Sequence, residues 1–270
     1  MEAKVLLHKL SITSPPIRPR EIVKRLELLL KETDAGDRFD GWILQANGTA
    51  AICINSAISS EARKNFTIAH ELGHFRLSWH SRQPQCLKKD IGIISAIKTE
   101  EAEANEFAAE LLMPEDMVRP LINSEEIGLG AIQKIADTFE TSFTSSAFRY
   151  IQLTGYPAAL VICEGRKVKQ VSLSNTLREM RYKPIERETD LSAHSLAIDF
   201  FSDSGVVVKT QADRCTILPS VWFPEVSNDD FTCMEEVRGL PAINKTVSLV
   251  WVEENQTSAS SYDEDEDDLL

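Results

Sequence analysis

The sequence predicts an α+β protein of two unlike parts: a mainly helical domain with a small sheet and a metal site, then a mixed module of short strands and helices. Three observations lead there. His70-Glu71-Leu72-Gly73-His74 lies within a stretch of helical periodicity. Two apolar runs ahead of it flank Asn47-Gly48, a two-residue hairpin signal. From Tyr156 the pattern changes to short strands separated by turns. The expected divisions are 1–124 for the metal domain, 125–155 for a helical segment, 156–255 for the α+β module and 256–270 for a disordered acidic tail.

Residues 1–15 read as a short strand or an irregular arm. Pro15, Pro16 and Pro19 delay any helix until Arg20, after which Ile22, Val23, Leu26, Leu29 and Leu30 keep helical spacing to about Thr33. Asp34-Ala35-Gly36-Asp37 is a turn, and residues 41–46 and 49–55 are the hairpin strands. An exposed edge there suits an extended peptide added as a further strand. Ser59 or Ser60 caps the next helix.

On that helix His70 and His74 stand one turn apart, with Cβ atoms roughly 5–6 Å from each other. Both imidazoles can then reach one ion at about 2.0–2.1 Å, while Glu71, about 100° round the helix, is placed to touch a water on the metal instead. The plainer alternative is a chance H-E-x-x-H whose histidines hydrogen-bond in a core. A third ligand decides between them. Residues 99–113 are rich in Ala, Glu and Leu, and Pro114 stops that helix. Helical phase sends Glu103, Glu106 and Glu110 together to a solvated face. Glu101 points into the middle of the apolar stripe beside Asn105, with Glu100 on its flank. A carboxylate aimed at the core must be paired or bound to metal.

H-E-L-G-H followed by E-x-x-A-N-x-F-A-A-E-L-L-M-P, with I-N-S-A-I-S-S-E-A-R-K-N-F-T-I-A ahead of it, resembles the ImmA/IrrE zinc metallopeptidases over residues 50–115. The resemblance implies a zincin-like peptidase domain with Zn²⁺ held by His70, His74 and Glu101, and Glu71 as catalytic base. It implies an endopeptidase that cleaves a partner helix-turn-helix repressor and so releases stress or antiphage defence genes. The activator would be single-stranded DNA or another DNA-damage signal, sensed by a C-terminal module similar to the GAF-like half of longer relatives. The competing reading is a zinc-stabilised regulator that binds a repressor or DNA without cutting; its mark would be loss of the base, and Glu71 is present.

The remaining chain sets limits on these readings. Residues 78–98 form a long loop carrying His80, on a different face from His74, and Cys86, whose thiol is a possible inhibitory fourth ligand of the metal. Helices are expected at 115–123, 129–139 and 144–153, the last two resembling a helix-turn-helix. Residues 128–155 nonetheless carry Lys134 and Arg149 against Asp137 and Glu140, a poor balance for duplex DNA, so packing or substrate docking is the preferred role. Strands are expected at 158–163, 167–173, 205–209 and 247–252, and a helix at 195–201. Cys163, Cys215, Cys233 and His194 are too scattered for a second zinc site and read as buried thiols. Net charge is −13, and Asp263, Glu264, Asp265, Glu266, Asp267 and Asp268 supply six of the negatives. Five cysteines without C-x-x-C spacing, no signal peptide and no long apolar run point to a soluble, cytoplasmic protein with no membrane partner.

Overall fold

A computed structural model describes residues 2–36, 39–46, 49–77, 86–87, 100–227 and 231–253. The acidic tail, His80 and most of the loop expected at 78–98 lie outside the described residues. The chain divides into two compact units, Met1–Thr154 and Gly155–Leu270.

The first unit begins with a helix where an arm or strand was expected. α1 (Glu2–Lys9) buries Ala3, Leu6 and Leu7, an i, i+3, i+4 stripe. The next expectation also needs correction. α2 (Pro19–Arg25) starts on Pro19 and stops at Arg25, because Glu27 turns into the left-handed region at φ 58°. The chain then enters strand β1 (Leu29–Thr33), which runs parallel to β3 (Thr49–Asn55) in the register Leu29↔Ala51 to Thr33↔Asn55. Leu29 is half exposed, so its helical spacing to Leu26 marked no buried face. A backbone ladder overrode local helix propensity.

β2 (Phe39–Ala46) pairs antiparallel with β3, and β4 (Cys86–Leu87) with β2, giving the order β1-β3-β2-β4. Asn55 ends β3 fully buried, and its amide donates to the carbonyls of Gly36 and Phe39, closing the loop into β2. The central helix α3 (Glu61–Arg76) is capped by Ser60, whose hydroxyl accepts from Arg63 N at 3.4 Å. Every residue from Thr67 to Gly73 is buried, so α3 is enclosed on all sides. Ile68 and Leu72 are fully buried and contribute about 1.5–3 kcal/mol each. Buried Asp40 takes the Arg63 guanidinium on Oδ2 at 2.9 and 2.6 Å and ties β2 to the first turn of α3.

α4 (Glu100–Leu112) lies against α3 at very short range, and Gly73 makes this possible. A Cβ there would meet Ala104 Cα at 3.1 Å and Phe107 Cβ at 3.3 Å. Glycine on one helix and alanine on the other let the two site-bearing helices approach closely. α5 (Glu115–Ser124), α6 (Leu129–Phe139) and α7 (Phe143–Leu153) come next, at the expected places. Two charges do not behave as expected. Glu110 is not on a solvated face: it pairs with Arg149, whose side chain is 3 % exposed. Arg149 also donates to Met113 O at 2.9 Å and to Gln152 Oε1 at 2.7 Å. The one cation that α7 could have offered to DNA is committed to holding the end of α4.

The second unit is a five-stranded antiparallel sheet in the order β6-β5-β9-β8-β7, from β5 (Ala158–Glu164), β6 (Lys167–Leu173), β7 (Asp213–Ile217), β8 (Thr232–Leu240) and β9 (Lys245–Glu253). The short helix α8 (Asn175–Glu179) comes after β6. β8 alternates buried and half-buried residues, and its buried face joins Phe200, Trp222, Phe223 and Val250 in one core. The strand expected at 205–209 is instead irregular, touching Phe201 through one bridge at Val207. The helix expected at 195–201 is a single 3-10 turn, Leu196–Phe200. β7 and β8 escaped notice because half of their positions are polar, Asp213, Arg214, Glu235 and Glu236 among them. Glu235 is buried nonetheless. Its carboxylate accepts from Ser195 Oγ at 3.0 Å and Leu196 N at 2.8 Å, fastening the 3-10 turn to the sheet, and burial pushes its pKa up. No helix among the described residues is long and apolar enough to cross a membrane.

Removing the Arg149 guanidinium strands Glu110 in a half-buried place. Arg149→Ala should therefore destabilise the first unit by about 3 kcal/mol in denaturant unfolding. A loss under about 1 kcal/mol would return this pair to the class of solvated surface bridges.

Candidate metal centre

Three residues chosen from the sequence come together. His70 and His74 project from the third and fourth turns of α3, and Glu101 from the first turn of α4, held there by the close helix contact at Gly73. His70 Nε2 lies 3.1 Å from His74 Nε2 and 3.2 Å from Glu101 Oε2, and His74 Nε2 lies 3.3 Å from Glu101 Oε1. Ligands spaced tetrahedrally at about 2.0–2.1 Å from an ion stand about 3.3 Å apart, so these three atoms already hold the spacing zinc needs. Among the described residues this is the one cluster of His, Cys, Asp and Glu able to hold a metal. Cys163 and Cys233 are buried thiols with pKa values pushed up to about 12, chiefly by burial, and form no second cluster.

Asn105, one turn after Glu101 and 1 % exposed, supports the cluster from behind. Its Oδ1 lies 3.1 Å from His70 Nδ1. An amide oxygen only accepts, so His70 carries a proton on Nδ1, and its Nε2 offers a lone pair whenever the ring is neutral. That lone pair faces His74 Nε2, and two lone pairs at 3.1 Å repel. Something positive must sit between them, either a proton or a metal ion. In the metal-free chain His74 takes up a proton more readily than a free imidazole does. Burial opposes the charge there, but the Glu101 hydrogen bond and the charges of Glu71, Glu101 and Glu100 outweigh it and raise the pKa of His74. Burial likewise raises that of Glu101, but hydrogen bonds and charge from His70 and His74 prevail and hold its carboxyl well below the usual carboxylate range.

Glu71, 1 % exposed, is on the side of α3 that faces the sheet, next to Gly41 of β2. His70 is sealed, whereas the Glu101 side chain is one-third exposed and leaves a way in from solvent. Cys86 enters β4 as the backbone partner of Gly41; its side chain lies outside what is described. Helical phase places Asn105 beside Glu101 but gives it no role, and nothing in the sequence singles out Gly41. A signal for Asn105 exists: an amide inside an apolar helical stripe needs a partner. Gly41 leaves none, since its contact spans two elements.

A metal ion at this cluster would compete with protons for one place. His70→Ala and His74→Ala should abolish stoichiometric zinc, and Glu101→Ala should weaken it while Glu103→Ala does not. Asn105→Ala should lower affinity about 10–100-fold with the fold intact. Zinc content after dialysis should fall as the pH is lowered through the raised pKa of His74, which then regains its proton. In the metal-free chain His74 gives stability below its unfolded pKa that is lost as pH rises through the raised folded value. Glu101 gives stability above its unfolded pKa that is lost as pH falls towards the depressed one. The pair thus helps the metal-free chain most between about pH 4 and 6.5.

Comparison with known proteins agrees with this geometry. A family model described as Peptidase_M78, IrrE N-terminal-like domain, matches residues 25–150. The chain is 40% identical over 74 residues to the "Uncharacterized immunity region protein 2" of Bacillus phage phi105, an alignment covering 27% of this chain and 44% of that relative. The chain thus spans less than half the length of that relative. It also resembles the solved structure of a Mycobacterium tuberculosis transcriptional regulator, with a TM-score of 0.54 and 13% identity over 93% of this chain and 86% of that one, a likeness of fold. The motif, the spacing of the three ligand atoms and the matched residues lead to one conclusion: residues 25–150 of this chain form an IrrE N-terminal-like domain of the ImmA/IrrE family.

Proposed function

We propose that this protein is a zinc-dependent endopeptidase that cleaves a partner helix-turn-helix repressor and so derepresses stress or antiphage defence genes. The observation that carries the reading is the His70–His74–Glu101 cluster with a buried carboxylate, Glu71, beside it on the same helix. The phage relative is named for an immunity region, which fits control of a repressor. When bound, zinc supplies Lewis acidity, lowering the pKa of a coordinated water and polarising a peptide carbonyl. His70 and His74 hold the ion through Nε2, and Asn105 keeps His70 in the tautomer that allows it. Glu71 accepts the proton of the attacking water on a carboxylate oxygen and returns it to the leaving amine nitrogen. The enclosed α3 keeps bulk water from the back of the site.

The second unit, with its antiparallel sheet, serves in this reading as a GAF-like sensor of single-stranded DNA or another DNA-damage signal. The helix-turn-helix-like pair α6 and α7 serves packing or substrate docking: Arg149 is consumed internally, and Lys134 pairs with Glu125. Cys86 belongs to the same reading as a restraint, its thiol taking the open ligand position until a signal arrives; its backbone partner Gly41 lies next to Glu71. The alternative is a zinc-stabilised regulator that binds a repressor or DNA and cuts nothing.

Glu71→Gln separates the two. The amide keeps the shape but accepts no proton, so zinc content and unfolding temperature should stay at wild-type values while cleavage of the partner helix-turn-helix repressor disappears. Cleavage at the wild-type rate by that variant would overturn the base assignment. Zinc-loaded wild-type protein that binds the repressor and leaves it intact, with and without single-stranded DNA, would favour the non-catalytic regulator.

A further inference from the structure

We propose that Gly41 is a positioning residue for Glu71, and that the missing side chain on β2 fixes where the base carboxylate stands. The proposal rests on the reading of Glu71 as the base. A Cβ on Gly41 would lie 2.5 Å from Thr67 Cγ2, 3.1 Å from Glu71 Oε1 and 3.2 Å from Cys53 O. The first distance is a clash, the other two are tighter than ordinary contact. The strand backbone thus passes directly over the side of α3 that carries the base.

The strand, Thr67 and Cys53 are fixed, which gives the close approach its force. Arg63, Thr67 and Glu71 succeed one another at four-residue intervals along the sheet-facing side of α3. Arg63 grips the buried carboxylate of Asp40, the residue before Gly41, through two nitrogens. The strand is therefore pinned at the point of contact and cannot swing away from the helix. Thr67 Oγ1 donates to Arg63 O at 3.0 Å, and this fixes the rotamer that turns Cγ2 towards Gly41. Cys53 O belongs to β3, held between β1 and β2. Of the three neighbours only the Glu71 carboxylate ends a chain of freely rotating bonds, so it yields first. Glycine at 41 leaves its oxygen backed by the strand; any larger residue drives it from that position.

The consequence is selective. The three atoms nearest an added Cβ belong to Thr67, Glu71 and Cys53, none of them a ligand of the cluster, and Glu101 stands on α4. Gly41→Ala should therefore leave zinc binding alone and move the base. A displacement of about 1 Å lowers turnover on the order of 10²-fold.

The test compares full-length wild type, Gly41→Ala, Gly41→Ala/Thr67→Ser and Glu71→Gln, all zinc-loaded. Each is assayed for bound zinc, thermal unfolding and hydrolysis of a quenched fluorescent peptide library, and each is crystallised. Thr67→Ser removes the Cγ2 clash and keeps the hydroxyl bond to Arg63 O, so it relieves packing without making room for Glu71. The expected result is full zinc in all four proteins and a lowered unfolding temperature in Gly41→Ala that the double variant restores. In both Gly41 variants the Glu71 carboxylate should be displaced and kcat reduced about 100-fold at unchanged KM. If the double variant regains kcat together with stability, or if Glu71 superposes on its wild-type position in the Gly41→Ala crystal, Gly41 is only a packing residue and the proposal fails. Wild-type turnover in Glu71→Gln would instead overturn the base reading, and this proposal with it.

Discussion

Two imidazole nitrogens 3.1 Å apart are the constraint on which this site depends. Asn105 accepts from the other nitrogen of His70, so the two Nε2 atoms are left facing each other, and a positive charge in the gap relieves their repulsion. Glu101 supplies the opposite charge, and its two oxygens lie at nearly equal distances from the two rings. A proton satisfies the arrangement when no metal is bound, and an ion satisfies it better because it engages all three groups at once. Each structural feature near the site serves that spacing. Gly73 and Ala104 bring the two helices together, and the sheet supports α3 through Gly41 and Asp40 of β2.

The sheet has a second task. Gly41 presses the strand backbone against the side of α3 that bears Glu71, while Asp40 and Arg63 hold that contact closed. The proposed ligands and the proposed base thus share one helix and rest on different neighbours, α4 for the first and β2 for the second. A fault in α4 would loosen the metal, whereas a fault in β2 would misplace the base.

Much of the site was legible because it is local. H-E-x-x-H is a one-turn pattern, and the phase of a 13-residue helix was enough to separate Glu101 from four other glutamates. The hairpin strands and the Ser60 cap were legible for the same reason, each being written in a few adjacent residues. The features that escaped depend on distant partners. Leu29 and Leu30 look helical until β3 offers a parallel ladder. Glu110 looks solvated until Arg149, 39 residues on, closes over it. Gly41 reads as an ordinary strand residue until α3 lies across it. β7 and β8 hid because Glu235, a charge inside the second core, breaks the apolar pattern that marks a strand.

The most direct test of this account is a crystal structure of the zinc-loaded chain with anomalous data at the zinc edge. The account requires one ion within about 2.0–2.2 Å of His70 Nε2, His74 Nε2 and a Glu101 oxygen, with the Glu71 carboxylate turned towards its fourth ligand. An ion bound elsewhere, or one held by the two histidines with Glu101 turned away, would contradict it.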